Sequence, residues 1–220
     1  MARIALFGAT GMIGSRILSE ALDRGHDVVA VVRDRTKLTR THPALRVVTG
    51  DVLQPTSVSS AARGEDVVVS AVGGGHGNGP GHLATAEPAV RSLVAGLRAL
   101  DGGPGGTRLI SVGGAGSLRV SGGKRLWDTA GLPEHALQIM HASGDALEYV
   151  RTVNDVRWTI ISPPARIGPG PRTGTYRSAL EDLVVDADGE SRISTDDFAV
   201  AVVDEIEHAR HIGERFAVGY

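Results

Sequence analysis

The chain has 220 residues, 41% of them hydrophobic and 22% charged. That is ordinary globular usage with enough apolar material for one substantial core, and it excludes intrinsic disorder. Twenty-three basic and 25 acidic residues leave a formal charge of −2 without a basic block, aromatic content is 4% and cysteine is absent, which argues against a nucleic-acid partner and excludes disulfides, thiolate metal sites and a cysteine nucleophile. Arg3 to Phe7 is the first of several short runs rich in Val, Ile and Leu, too short for a signal core or a membrane span. The same kind of run returns at Asp27 to Val32, Leu45 to Val48, Asp66 to Ala71, Thr107 to Val112 and Trp158 to Ile161. These runs are nearly continuous in apolar character, as strands are when helices cover both faces of a parallel sheet. Helical spacing fills the intervals at Met12 to Arg24, Pro55 to Arg63, Leu83 to Leu100 and Glu134 to Arg151. Strand and helix therefore alternate, which predicts a doubly wound α/β sheet with helices on both faces, built as one domain over residues 1–220.

After Ile161 the alternation breaks into a Pro-, Gly- and Arg-rich stretch, before a last helix at Thr195 to Arg210, capped at Ser194-Thr195-Asp196, and a strand at Glu214 to Val218. Residues 113–133 and 162–194 read as elaborations that wall a small substrate cleft.

The first strand runs into Gly8-Ala9-Thr10-Gly11-Met12-Ile13-Gly14, which opens the first helix. In that context Gly8 permits the tight turn, Gly11 lets backbone approach a pyrophosphate and Gly14 lets helix pack on sheet, with Thr10, Met12 and Ile13 completing the cradle. The expected ligand is a nicotinamide dinucleotide. After the second strand stand Arg33, Asp34, Arg35 and Lys37, and a guanidinium suits a 2′-phosphate better than a ribose diol, so NADP(H) is preferred; Asp34 keeps NAD(H) possible. Asp51 and Val52 follow the third strand on the adenine side, although Asp51 reads equally as a cap for the helix near Pro55. Ala71, Val72 and Gly73 follow the fourth strand on the side of the nicotinamide ribose.

The turn GATGMIG, Val-Val-Arg-Asp after the second strand, Gly-Asp-Val after the third, Ser-Val-Gly-Gly-Ala-Gly-Ser-Leu after the fifth, Trp-Thr-Ile-Ile-Ser-Pro-Pro at the sixth and Arg-Ile-Ser-Thr-Asp-Asp-Phe-Ala before the last helix together resemble the atypical short-chain dehydrogenase/reductases. The subgroup is that of NAD(P)H-flavin reductases similar to biliverdin reductase B. The resemblance spans essentially the whole chain. It implies a Rossmann-like fold, cofactor contacts from Gly8, Gly11, Gly14 and Arg33, and a nicotinamide pocket built partly from Ser111 and from Pro163 to Ala165. One departure is plain: where such enzymes carry a Tyr-x-x-x-Lys pair, counting back from Trp158 and Pro163 places His141 and Asp145.

Candidate chemistry follows. Ser111 ends the fifth strand and can hydrogen-bond a substrate oxygen; His141 and Asp145, four residues apart, share a helical face as an acid–base pair or as a surface pair. His76, His82 and His135 are the other histidines near cleft segments, and no spacing suits a metal. Trp127, Arg172 and Tyr176 can wall a planar substrate, while Trp127 and Tyr176 read nearly as well as fillers of a minor core. Three functions stay open: an NADPH-dependent reductase of flavins, quinones or related planar acceptors, a specialised ketoreductase or isomerase using His141, and an NADP(H) sensor without turnover. The expected setting is cytoplasmic, with no membrane or nucleic-acid partner and with a homo-oligomer possible.

Overall fold

The computed structural model describes residues 1–75, 78–100, 106–129 and 131–220. Its strands are β1 (Arg3–Phe7), β2 (Asp27–Val32), β3 (Leu45–Thr49), β4 (Val67–Ser70), β5 (Arg108–Val112), β6 (Trp158–Ser162), β7 (Arg166–Gly168), β8 (Arg177–Ala179), β9 (Arg192–Ser194) and β10 (Glu214–Gly219). The helices are α1 (Met12–Asp23), α2 (Pro55–Ala62), α3 (Gly79–Leu83), α4 (Ala86–Arg98), α5 (Glu134–Arg151) and α6 (Thr195–His208). Eight strands form one sheet in the order β3-β2-β1-β4-β5-β6-β10-β8, parallel throughout except where β8 runs antiparallel to β10. This is a Rossmann-like sheet, and its direction of growth reverses between β1 and β4.

Alternation along each strand sends side chains to two separate cores. Ile4, Leu6, Ala30, Val67, Val69, Ile110 and Ile161 meet the stripe Ile17, Leu18, Ala21 and Leu22 of α1 and the apolar side of α6 around Phe198 and Val202. Ala5, Phe7, Val68, Leu109, Trp158 and Ile160 face the opposite layer of α2, α4 and α5, packing on Val58, Leu93, Leu97, Leu147 and Val150. Helices on both faces explain why the strands read as unbroken apolar runs.

One expectation needs correction. The helix expected from Leu83 to Leu100 is instead the short α3 and the separate α4, divided at Ala84 and Thr85. Pro88 is the reason: inside a longer helix its ring would meet the carbonyl of Ala84, whereas in the first turn of α4 it is tolerated. The segment 162–194 contains three short strands, of which β7 and β9 pair in a small parallel sheet and β8 extends the main one. It also meets the other elaboration, through a bridge between Arg119 and Asp182 and through a satellite core of Ala115, Leu118, Val184 and Ala217.

Candidate dinucleotide site and cleft

At the end of β1 the backbone of Gly8 takes φ +87°, and a Cβ there would stand 2.6 Å from the carbonyl oxygen of Ala71. A Cβ on Gly14 would lie 2.0 Å from the carbonyl oxygen of Gly8, so α1 is drawn onto the turn as closely as backbone allows. Gly11 differs. Its hypothetical Cβ meets only the Gly8 carbonyl at 3.3 Å, and the residue is exposed together with Thr10 and Met12. Gly11 is also the N-cap of α1, without a side-chain cap and with no acidic residue in the first turn. The amides of Met12, Ile13 and Gly14 therefore lack intrahelical acceptors, and they face an open approach. A pyrophosphate fits this cradle in both charge and shape.

The adenine-side residues stand at the ends of β2 and β3. Arg33 is exposed, and among the described residues it forms no hydrogen bond or ion pair. Asp34 is already committed: its Oδ1 accepts from the Thr36 amide at 3.0 Å and the Thr36 hydroxyl at 2.6 Å, and these bonds hold its carboxyl below the ordinary range. Asp51 does not cap α2, whose N-cap is Gln54; its Oδ1 accepts from the Leu53 amide at 3.0 Å in a local turn. Val52 is buried and Leu53 exposed beside it.

On the other side of the turn, Ala71, Val72 and Gly73 leave β4 against Gly8. Three hydroxyls line the sheet at this level. Ser70 and Ser111 are register partners on β4 and β5, and Ser162 ends β6. Ser111 shares the strand face of Leu109, and Ser162 that of Ile160, so both point toward the α5 layer. All three are buried, and the Ser162 hydroxyl has no hydrogen-bond partner among the described residues. Beyond Ser162, Pro163 and Pro164 bring no amide hydrogen, and the Ala165 amide is donated to Ser191 Oγ at 3.1 Å. This segment thus offers carbonyl oxygens and apolar surface to a carboxamide.

The structure corrects the reading of α5. His141 and Asp145 lie exposed on its outer side, and neither a hydrogen bond nor an ion pair joins them; His141 stacks on Trp127 with ring centroids 4.7 Å apart. The side chain turned toward the end of β5 is Ser143, whose Cβ would be 2.7 Å from a Cβ built on Gly114. Ile139 occupies the same helical face one turn earlier. Position counting missed both residues, because it fixes a place along the helix axis but not around it.

The residues expected to wall a substrate are held elsewhere. Trp127 packs over Gly116 and Gly144 with Arg125 across its ring at 5.2 Å, so the indole fills the seam between the first elaboration and α5. Arg172 forms a bidentate pair with Glu20 of α1, both contacts at 2.7 Å, and the Tyr176 hydroxyl donates to Asp204 of α6 at 2.8 Å. Both belong to the α1–α6 face. Burial and the Asp204 carboxylate push the Tyr176 phenol far above its ordinary value, and its hydrogen is held by Asp204.

His82, by contrast, sits in the cleft wall. Its ring lies against Gly73, where a Cβ would stand 2.9 Å from Cε1, and its Nε2 is 3.2 Å from the Gly75 carbonyl oxygen. Burial lowers its pKa below the ordinary imidazole value. His76 lies outside the described residues, and His135 is exposed at the start of α5.

Residues 8–209 match the model of a family described as NAD(P)H-binding. The uncharacterized Bacillus subtilis protein YwnB is 37% identical over 219 residues, covering 98% of this chain and 97% of its own. A solved structure from Burkholderia pseudomallei, provisionally described as an exported protein, is 41% identical with a TM-score of 0.87 and full coverage of both chains. Another, from Streptococcus pneumoniae and provisionally named an NADH-flavin reductase, is 31% identical with a TM-score of 0.86, covering 100% of this chain and 99% of its own. Among the described residues no helix is long and apolar enough to cross a membrane.

Proposed function

The chain belongs to the NAD(P)H-binding family, and on that premise we propose that it is an NADPH-dependent oxidoreductase acting on a planar acceptor such as a flavin or a quinone. The observation that carries the cofactor half is the contrast between Arg33, which has no partner among the described residues, and Asp34, which is engaged with Thr36. A guanidinium without an internal partner is available to a 2′-phosphate, and a committed carboxylate is a poor acceptor for a ribose diol. The turn at Gly8, Gly11 and Gly14 holds the pyrophosphate, with Thr10, Met12 and Ile13 around it, while Asp51 and Val52 border the adenine.

When bound, the nicotinamide ring supplies a hydride. The chain's own contribution is position: Ala71 to Gly73 and the Ser111 hydroxyl border the nicotinamide end, and Pro163 to Ala165 close it from β6. The α5 residues toward this end, Ser143 and Ile139, form no proton-relay pair, which supports an acceptor whose protonation is left to solvent. His141 and Asp145 on the outer side of α5 lend nothing to a ketoreductase or isomerase. The absence of cysteine supports a cytoplasmic setting.

The test is direct. Purified protein with NADPH should oxidise it in the presence of FMN or a benzoquinone, and NADPH should bind more tightly than NADH. Binding of NADPH without oxidation by any planar acceptor would replace this reading with that of a sensor; equal affinity for the two cofactors would remove the role of Arg33.

A further inference from the structure

The loop after β4 is held unusually closely to α3. Asn78 Nδ2 donates to the Gly74 carbonyl at 2.9 Å while its Oδ1 accepts from the Gly81 amide at 3.1 Å, and a Cβ on Gly74 would stand 1.9 Å from the His82 nitrogen. These contacts fix the His82 ring in place against Gly73. With Nε2 at 3.2 Å from the Gly75 carbonyl, Nε2 carries the hydrogen and donates it. Nδ1 of the neutral ring is then a lone-pair acceptor, and it has no partner among the described residues.

The position of this acceptor follows from the fold. Adenine-side residues stand after β2 and β3, on one side of the glycine turn; the rest of a dinucleotide must extend to the other side, where the first wall met is Ala71 to Gly75. A neutral acceptor there suits a sugar hydroxyl. Helix α5 carries no lysine, and on its inner face stands Ser143, whose hydroxyl is donated to the Ile139 carbonyl at 3.0 Å. We propose that His82 Nδ1 accepts a hydrogen bond from a hydroxyl of the nicotinamide ribose, so that α3 carries the positioning role that α5 lacks. This rests on the cofactor reading above.

Protonation distinguishes this role from a purely structural one. Protonation keeps the Nε2–H bond to Gly75 and strengthens it, so the anchoring of the loop is not lost in acid, whereas accepting at Nδ1 ends when that nitrogen is protonated. Among the described residues the ring faces Gly73 and the Gly75 carbonyl, and its lowered pKa comes from burial, with no charged side chain contributing. The affected range therefore lies below the ordinary imidazole value.

Binding of NADPH and of adenosine 2′,5′-bisphosphate, which lacks the nicotinamide half, is measured by calorimetry from pH 8 to pH 5 for the wild type, His82→Ala and His82→Asn. Protonation of the 2′-phosphate affects both ligands and that of the terminal 5′-phosphate only the bisphosphate, so His82 is isolated by comparing the wild-type affinity ratio with that of His82→Ala at each pH. We expect His82→Ala to weaken NADPH about five- to tenfold with the bisphosphate unchanged, and His82→Asn to recover part of the loss. Toward acid pH the wild-type ratio should fall relative to the His82→Ala ratio. An equal loss for both ligands, or a wild-type ratio that follows the same pH profile as that of His82→Ala, overturns the role of His82. Failure of the wild type to bind either ligand overturns the cofactor reading itself.

Discussion

Gly11 and Gly14 are three residues apart, and a methyl group added at each meets a different obstacle. At Gly14 it would lie 2.0 Å from backbone oxygen, so Gly14→Ala must push α1 off the turn, a strain of about 1–3 kcal/mol that a thermal melt records as a loss of several degrees. Gly11→Val meets a milder obstacle, a Cβ 3.3 Å from the Gly8 carbonyl oxygen, for which the turn must give by a few tenths of an ångström. It should lower the melt less than Gly14→Ala does and abolish NADPH binding; retained affinity would mean that Gly11 serves the turn alone. Arg33→Ala is expected to weaken NADPH at least about fivefold and NADH little, as the loss of one charge-assisted contact dictates. His141→Ala should keep turnover within about twofold, because the ring it removes rests on Trp127 and not in the cleft. A fall of a hundredfold would restore His141 to the mechanism. The glycine turn was legible in the sequence because its meaning lies in consecutive residues. Ser143 was not: a slip of two residues from His141 turns a side chain about 200° around the helix, to the opposite side. His82 was visible only as one of several histidines, since the carbonyl that fixes its tautomer comes from a glycine loop without periodicity.

The start of α6 shows how an element can be read correctly while its surroundings stay hidden. Ser194 caps it as expected, its hydroxyl accepting from the Asp197 amide at 2.9 Å. The sequence gives no sign that Asp197 is fully buried, taking hydrogen bonds from the amides of Thr173 and Gly174 and the hydroxyls of Thr173 and Tyr220. Burial alone would raise its pKa, but these donors outweigh it and the folded value lies below the ordinary carboxylate value. A depressed folded pKa stabilises above the unfolded value near 3.9, and that stability is lost as pH falls through the folded one. Asp197→Asn should therefore lower the melting temperature at pH 7 and flatten its decline below about pH 4; an acid profile identical to the wild type would refute this. Irregular segments such as 162–194 are hard to read for the same reason. Their order comes from side chains reaching to distant elements, Arg172 to Glu20 and Tyr176 to Asp204, and not from a repeating pattern.

Across the whole molecule, the doubly wound sheet was legible because unbroken apolar strands and amphipathic helices alternate, whereas the charges sealed between the layers were not. Arg108 on β5 and Glu205 on α6 are both buried and paired at 2.9 Å, and Glu205 also receives His211 Nδ1 at 2.8 Å. Glu205→Ala leaves a guanidinium without its partner and should destabilise by about 3–5 kcal/mol. The deficit should change little between low and high salt, as chemical denaturation at two ionic strengths can verify, because buried pairs are poorly screened. The packing of α1 on α6 has one further implication, for biosynthesis. Arg24, the C-cap of α1, is bonded to Asp204, a residue 180 positions later. At ordinary elongation rates that interval takes on the order of ten to forty seconds. Throughout it the stripe of Ile17, Leu18, Ala21 and Leu22 lacks the α6 surface that covers it in the finished protein, so this layer of the core cannot close until α6 has been made.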